Sequence, residues 1–210
     1  MAMLEIQEEG LSLEQAKALL NGIPGGFHRA LQTVTRRAGK HIASDHTKKI
    51  RQRYAISTTT VKEEETSSIR YSFQNGAQVV VLFTGKRIHL PRFEVSPKRK
   101  AYQTNRKVPV QFWDREWRLV SPGVPVTGHI LKSVAPRKFE NSFVAAFHPP
   151  LQQAFERESL YRPDLKPLMG PSVPQMLGDE QVAAALERET TEKTQEWLEQ
   201  EILKLLEGRR

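Results

Sequence analysis

The chain has 210 residues, of which 38% are hydrophobic and 27% are charged, and its formal net charge is +8. The hydrophobic share is below the roughly 45–50% of typical globular domains, so we expect a modest core for this length. The sequence contains no cysteine, which excludes disulfides, cysteine-ligated zinc, iron–sulfur clusters and thiol catalysis.

Two further features of the sequence indicate where the protein is made. No apolar run approaches the roughly 18 residues that a membrane-spanning helix needs. The N-terminus (MAMLEIQEEG) is acidic and lacks the basic-then-apolar plan of a signal peptide. We therefore expect a protein that is intracellular when it is made and that does not enter a membrane.

The charges lie in opposed blocks along the chain. Residues 27–53 and residues 84–107 each contain eight Lys or Arg against one acidic residue. Residues 177–207 contain nine acidic residues against three basic ones. Such blocks can match one another or complementary surfaces on neighbouring molecules.

Two helices are predicted in the first quarter of the chain. Ser12 and Gln15 form a capping box for a short helix, which Gly22 is placed to end. Apolar residues then recur at period 3.6 from about Gly26 to about Tyr54, which predicts a helix roughly 40 Å long. Its apolar face comprises Phe27, Leu31, Val34, Ala38, Ile42, Ile50 and Tyr54.

Strand patterns occupy the middle of the chain. Ser57 is predicted to cap one more helical turn, after which apolar and polar residues alternate over 69–73. Asn75-Gly76 is a strong hairpin signal, and 78–83 is the predicted returning strand. An exposed basic loop is expected over 96–109, and short strands are predicted at 88–90, 110–113, 117–120, 128–134, 142–147 and 153–157.

These elements predict an α+β fold in which the long N-terminal helix packs on a mostly antiparallel β-sheet. We expect four parts: a short helix or arm over 1–22, a core domain over 23–160, a linker over 161–178 and an acidic C-terminal helix over 179–210. The linker is predicted because residues 161–178 contain four prolines and two glycines.

One group of residues on the long helix has the spacing of metal ligands. His41 and Asp45 lie at i and i+4, with His46 beside them, so they can face one point. No carboxylate cluster elsewhere in the sequence clearly completes a site, so we expect a solvated polar patch and no metal or other cofactor. His129 and His148 have no motif spacing and are expected to be structural or exposed.

The sequence shows no catalytic constellation, and we predict that the protein is not an enzyme. Adjacent residues do not converge on one point, so Glu63-Glu64-Glu65 is interpreted as a solvated charge run. Gly25-Gly26 precedes a helix but lacks a phosphate-loop lysine pattern. No serine or threonine lies in a nucleophile elbow.

The basic stretches suggest an acidic partner. Lys98-Arg99-Lys100 flank Tyr102, which is compatible with phosphate contacts and one stacking ring. No recognition helix or RNA-binding fingerprint accompanies them, so a basic loop that meets an acidic protein surface is favoured over direct nucleic-acid binding. The predicted basic surface comprises Arg36, Arg37, Lys40, Lys48, Lys49, Lys98, Arg99 and Lys100.

Several segments resemble the minor tail protein Z family of tailed phages. In the C-terminal half these are 142–145 (SFVA), 154–157 (AFER), 165–168 (LKPL) and 170–176 (GPSVPQM). In the front half they are 29–30, 37–38, 54–56 (YAI), 61–62, 85–90 (GKRIHL) and Phe93. The resemblance covers most of 23–207, and 170–176 is its most specific segment. The chain departs from the family at 148–152, where a short glycine turn is usual, and around 98–120, where it is longer.

The resemblance implies a structural virion protein of the phage tail–neck region. Family members are tail completion proteins that cap the head-proximal tail end and enable head–tail joining. The implied assembly is a homo-hexameric ring, with the tail terminator, the tail tube or sheath and head-completion or connector proteins as partners. The implied location is the virion, after assembly in the host bacterial cytoplasm, and a passing contact with phage DNA is left open.

Two alternatives to this function remain. The main one is an intracellular nucleic-acid-binding protein that uses the basic stretches 27–53 and 84–107. The weaker one is a metal-dependent nuclease that uses His41, Asp45 and the glutamate run.

Two segments are predicted to make subunit contacts. We expect 170–176 to be ordered and packed, either at a subunit contact or on the sheet, and we expect the apolar stripe of the C-terminal helix to bind an adjacent subunit. The alternative for the helix is that it covers its own sheet. The predicted interface residues are Gly170, Pro171, Ser172, Val173, Pro174, Gln175, Met176, Trp197, Leu198, Ile202 and Leu205.

Overall fold

The computed structural model describes residues 13–73, 76–103, 105, 107–111, 114–148, 151–157 and 165–208. The predicted α+β class is confirmed, together with the long N-terminal helix and the C-terminal helix. The chain divides into two compact units. Unit 1 comprises 1–50, 65–85 and 173–210, and unit 2 comprises 51–64 and 86–172.

The described part of unit 1 consists of helices and one hairpin. The helices are α1 (Leu13–Leu19), α2 (Gly26–Arg53, of which the last three residues belong to unit 2), α4 (Val173–Leu177) and α5 (Glu180–Glu207). The strands are β1 (Thr66–Ser72) and β2 (Gln78–Thr84). They pair antiparallel from Thr66 opposite Thr84 to Ser72 opposite Gln78, which confirms the predicted hairpin.

A buried apolar cluster between α1, α2 and α5 forms part of the core of unit 1. It contains Ala16, Leu20, Ala30, Val34, Leu198 and Ile202. The period-3.6 pattern of α2 therefore buries Ala30, Val34, Ala38 and Ile42, while Phe27 is half-buried at its edge. Asp179 begins α5 because its side chain accepts a hydrogen bond from the backbone N–H of Gln181 at 3.1 Å. Ser12, the predicted cap of α1, lies outside the described residues.

Unit 2 consists mainly of short strands. Its helix is α3 (Thr58–Glu63), which the Ser57 hydroxyl caps as predicted by accepting from the Thr60 N–H at 3.1 Å. Leu90–Arg92 form a 3-10 turn. The strands are β3 (Arg87–His89), β4 (Glu94–Ser96), β5 (Val108–Gln111), β6 (Trp117–Val120), β7 (Val126–His129), β8 (Arg137–Phe139), β9 (Ser142–His148), β10 (Leu151–Arg157), β11 (Leu165–Pro167) and β12 (Met169–Ser172).

All strand pairs in unit 2 that the structure describes are antiparallel, but they form several small sheets. The sheets are β4–β7–β8, β9–β10–β11, β3–β12 and β5–β6. The core of unit 2 contains Leu90, Val95, Val126, Val144 and Ala154. The pairing is therefore antiparallel as predicted, but it is distributed over small sheets, with the β1–β2 pair in the described part of unit 1.

The structure differs from the sequence prediction over the proline-rich segment. Of the predicted linker, 161–164 lie outside the described residues, Leu165–Pro167 form β11, Met169–Ser172 form β12 and Val173–Leu177 form α4. Pro167 lies on β11, an edge strand of its sheet, and Pro174 lies in the first turn of α4. Neither position requires a backbone N–H. Prolines that suggest a linker in the sequence are thus compatible with regular structure here.

Helix length and hydropathy also bear on membrane contact. Across the described part of the chain, no helix combines the length and the apolarity needed to cross a bilayer.

Candidate functional site

The structure completes the ligand spacing found on the long helix. His41 and Asp45 lie one turn apart on α2, and α5 places Glu189 beside them. One ligand atom of each residue lies within 4.8 Å of the others. We call these three residues the helix-pair cluster. The sequence did not identify Glu189, because nothing local distinguishes it from the other acidic residues of its helix.

Two atoms of the helix-pair cluster are buried without a partner. Nε2 of His41 and Oδ2 of Asp45 are closed to solvent, and neither has a hydrogen-bond partner among the described residues. The other oxygen of Asp45 lies 4.0 Å from Nζ of Lys48. Buried polar atoms in proteins nearly always have partners, so this pair distinguishes the cluster from a solvated patch.

Two lysines neutralise the third member of the cluster. Oε2 of Glu189 forms a close ion pair with Lys49, and Oε1 lies 3.0 Å from Nζ of Lys193. These hydrogen bonds lower the pKa of Glu189 to about 2. Burial, followed by the positive charge of Lys193, lowers the pKa of His41, while Asp45 and Glu189 act in the opposite direction.

His46 is not part of the cluster, although it is beside Asp45 in sequence. Its side chain is 2% exposed, and Nε2 lies 2.7 and 2.9 Å from the two carboxylate oxygens of Glu65. Its ring centroid is 4.6 Å from that of Phe83. The expectation of a solvated run over 63–65 is therefore wrong for Glu65, whose side chain is 10% exposed.

The predicted basic surface on α2 is only partly free. Arg36, Lys40 and Lys48 are exposed, and Arg37 lies 3.7 Å from Glu201 of α5. Lys49 is buried because it pairs with Glu189, so its assignment to the surface is corrected. The opposed charge blocks on α2 and α5 are thus partly matched to one another within unit 1.

The second basic stretch is exposed but anchored. Lys98, Arg99 and Lys100 are exposed, and Nζ of Lys100 lies 5.0 Å from the ring centroid of Tyr102. The backbone N–H of Gln103 donates to the Pro122 carbonyl at 2.8 Å, which ties the loop to the chain after β6. The loop therefore presents a basic and aromatic surface.

The β5–β6 hairpin exposes large apolar side chains. Trp117 is 53% exposed and Leu119 is 68% exposed. They lie two residues apart on β6 and so point to the same side of the strand. We call this side the β5–β6 face. The sequence predicted this hairpin but did not identify the face, although the alternation of Glu116, Trp117, Arg118 and Leu119 was the available signal.

Most predicted interface residues pack inside the chain itself. Val173 and Met176 have no exposed surface, and Leu198 and Ile202 are 5% and 3% exposed in the core of unit 1. Trp197 and Leu205 are half-buried against that core. Leu198 and Ile202 contact their own chain and are removed from the candidate interface, since a partner reaches them only if the core opens.

Residues 170–172 lie in β12 of unit 2. Gly170 and Ser172 are buried and Pro171 is half-buried, so this part of the predicted interface is also packed within its unit. In α4, Pro174 is half-buried and Gln175 is exposed. The expectation of a packed segment over 170–176 is thus confirmed except at Gln175.

Comparison of the chain with protein-family models, curated proteins and solved structures finds no match in any of the three.

Proposed function

We propose that the chain is a structural virion protein of the phage tail–neck region, a tail completion protein. In this proposal it forms a homo-hexameric ring at the head-proximal end of the tail and enables head–tail joining. Its partners are the tail terminator, the tail tube or sheath and head-completion or connector proteins. Its role is assembly in the host cytoplasm, without catalysis or a catalytic cofactor.

The β5–β6 face carries the proposal of an assembly protein. The hairpin is a sheet of two strands, and an isolated two-stranded hairpin is marginally stable in water. Its strand β6 is exposed at Trp117, Arg118 and Leu119, so both sides of the strand face solvent. Tryptophan is among the residues that contribute most to protein interfaces. A neighbouring subunit that covers this face would bury Trp117 and Leu119 and stabilise the hairpin.

The packing of the resembling segments supports the particular family. Phe93 forms a β-bridge with Ile56, and its ring occupies the space where a side chain at Gly170 would lie. The N–H of Leu90 donates to the carbonyl of Leu168 at 2.9 Å. Residues of segments 54–56 and 170–172 therefore contact Phe93, and segments 86–90 and 165–168 are joined by a backbone hydrogen bond within unit 2, as expected if they form one structural motif.

The oligomeric state of the full chain tests this proposal. We expect light scattering and native mass spectrometry to give a hexamer, and Trp117→Ser combined with Leu119→Ser to yield a folded chain that does not assemble. Val134→Ser is the matched control, because Val134 is 55% exposed in the same unit, and this variant should assemble normally. A wild-type chain that stays monomeric when mixed with tail terminator and tail tube would contradict the proposal.

Nucleic-acid binding is the second candidate, and the exposed Lys98–Lys100 segment beside Tyr102 favours it. Such binding weakens steeply with salt because counterions are released from the phosphates. Nucleic-acid binding would replace the assembly function if the chain is a monomer that binds oligonucleotide with this salt dependence. The variant that combines Lys98→Ala, Arg99→Ala and Lys100→Ala should then lose affinity.

A further inference from the structure

We propose that His41, Asp45 and Glu189 bind one divalent transition-metal cation, Zn²⁺ or Mn²⁺, which joins α2 to α5 within unit 1. This site is independent of the proposed assembly function. It revises the sequence expectation of a solvated patch, which depended on the lack of a third ligand. Glu189 now supplies that ligand from a distant part of the chain.

The geometry of the cluster supports a single ion. The i, i+4 spacing places His41 and Asp45 on the same face of α2, and the carboxylate of Glu189 reaches them from α5. All three ligand atoms fit within 4.8 Å of one another. An ion bound there would contact one atom each of His41 and Asp45, which lie one turn apart on α2, and one atom of Glu189 on α5.

The buried atoms provide a second, independent observation. A buried polar atom without a partner destabilises a protein, and here two such atoms, Nε2 of His41 and Oδ2 of Asp45, belong to adjacent ligands. The carboxylate oxygen has only lone pairs to offer, and Nε2 offers one in the Nδ1–H tautomer, so in that tautomer neither atom satisfies the other. A cation between them would satisfy both.

The donor set determines the class of metal. One imidazole nitrogen and two carboxylates suit Zn²⁺ or Mn²⁺, whereas Mg²⁺ and Ca²⁺ prefer oxygen ligands alone. Three protein ligands leave at least one coordination position for water. A groove lined by Ala185, Glu189 and Lys193, among others, borders the Glu189 side of the cluster.

The lysines at Glu189 compete with the metal. Lys49 is 10% exposed at its side chain and is held in place, whereas Lys193 is 38% exposed and can turn into solvent. Metal binding is therefore expected to displace Lys193 from Oε1 of Glu189. It follows that removal of this ammonium group should strengthen metal binding.

Calorimetry on the untagged full chain, freed of metal by a chelator, tests the site with ZnCl₂, MnCl₂ and MgCl₂. We expect one Zn²⁺ or Mn²⁺ per chain and a midpoint of thermal unfolding raised by about 5–10 °C at a hundredfold excess over Kd. His41→Ala and Asp45→Asn should each weaken binding at least about tenfold. His28→Ala, an exposed histidine on the same helix, is the matched control and should bind as wild type.

Lys193→Met keeps the test valid if a ligand variant fails to fold. We expect this variant to bind Zn²⁺ or Mn²⁺ several-fold more tightly, a gain that a misfolded chain does not produce. The proposal is overturned by the absence of saturable binding up to about 1 mM metal, by binding that His41→Ala leaves unchanged, or by weaker binding in Lys193→Met.

Discussion

Gly39 lies in the interior of α2, where glycine is about 1 kcal/mol less favourable than alanine. The structure explains its presence. A Cβ atom at this position would lie 2.7 Å from Cγ2 of Val79 and 3.1 Å from atoms of Ile69 and Tyr71. The helix thus approaches the β1–β2 hairpin closely enough to exclude a methyl group.

Gly39→Ala is therefore expected to destabilise the protein despite the better helix propensity of alanine. The overpacking should exceed the propensity gain and lower the free energy of unfolding by about 1–2 kcal/mol, as measured by urea unfolding. The same substitution in a Val79→Ala background should be neutral or stabilising, because the clash is relieved. A stabilised single variant would show that the hairpin does not pack this closely.

The Glu63–Glu65 run contains one residue with a structural role. Glu65→Ala leaves His46 buried with only the Thr47 hydroxyl near Nε2, at 3.1 Å. We expect thermal or urea unfolding to show a loss of about 1–3 kcal/mol, the cost of an unsatisfied buried polar group. Glu64→Ala is the matched control and should change stability by less than about 0.5 kcal/mol. Equal losses in both variants would mean that the His46–Glu65 pair is not responsible.

At the scale of elements, α5 belongs to the core of unit 1. Its apolar stripe packs on α1 and α2, and its acidic side chains Glu189 and Glu201 pair with Lys49 and Arg37 of α2. An isolated helix whose apolar stripe is interrupted has marginal stability in water, and tertiary packing provides most of its stability. Because α5 covers α2, this packing explains the apolar stripe of α5 and part of its acidic charge.

Two leucines of α5 test this role with the same substitution. Leu198→Ala should cost about 2–5 kcal/mol, because it leaves a cavity in the core. Leu203→Ala, at a position that is 60% exposed, should change the free energy of unfolding by less than about 0.5 kcal/mol. Removal of 179–210 should accordingly prevent unit 1 from folding. A truncated chain that keeps strong helical circular dichroism and unfolds cooperatively would contradict this assignment.

At the scale of the whole molecule, some of the opposed charge blocks are already paired within the chain. Assembly through the β5–β6 face would then depend mainly on apolar contacts with Trp117 and Leu119. We expect the mass of the assembly, measured by light scattering, to stay constant from ~0.1 M to ~0.5 M NaCl, where exposed charges are strongly screened. Dissociation over this range would show that charge pairs between subunits hold the assembly together.

The sequence alone determined the elements whose causes are local. The predicted helix from about Gly26 to about Tyr54 is observed as Gly26–Arg53, because a period of 3.6 and flanking breakers act within a few turns. The 69–83 hairpin follows from alternation and an Asn-Gly turn for the same reason. The shared face of His41 and Asp45 could be predicted because one helix turn sets their spacing, but the sequence favoured a solvated patch there.

Only the tertiary structure decided what these elements contact. The glutamate that joins His41, the hairpin that requires Gly39 and the core that receives Leu198 all come from distant segments. Contacts of this kind depend on how helices and strands pack, and no local pattern of residues encodes the partner. The proline-rich segment is a further example, because its prolines suggested a linker in the sequence. In the structure, Pro167 lies on a strand at the edge of a sheet and Pro174 lies in the first turn of a helix.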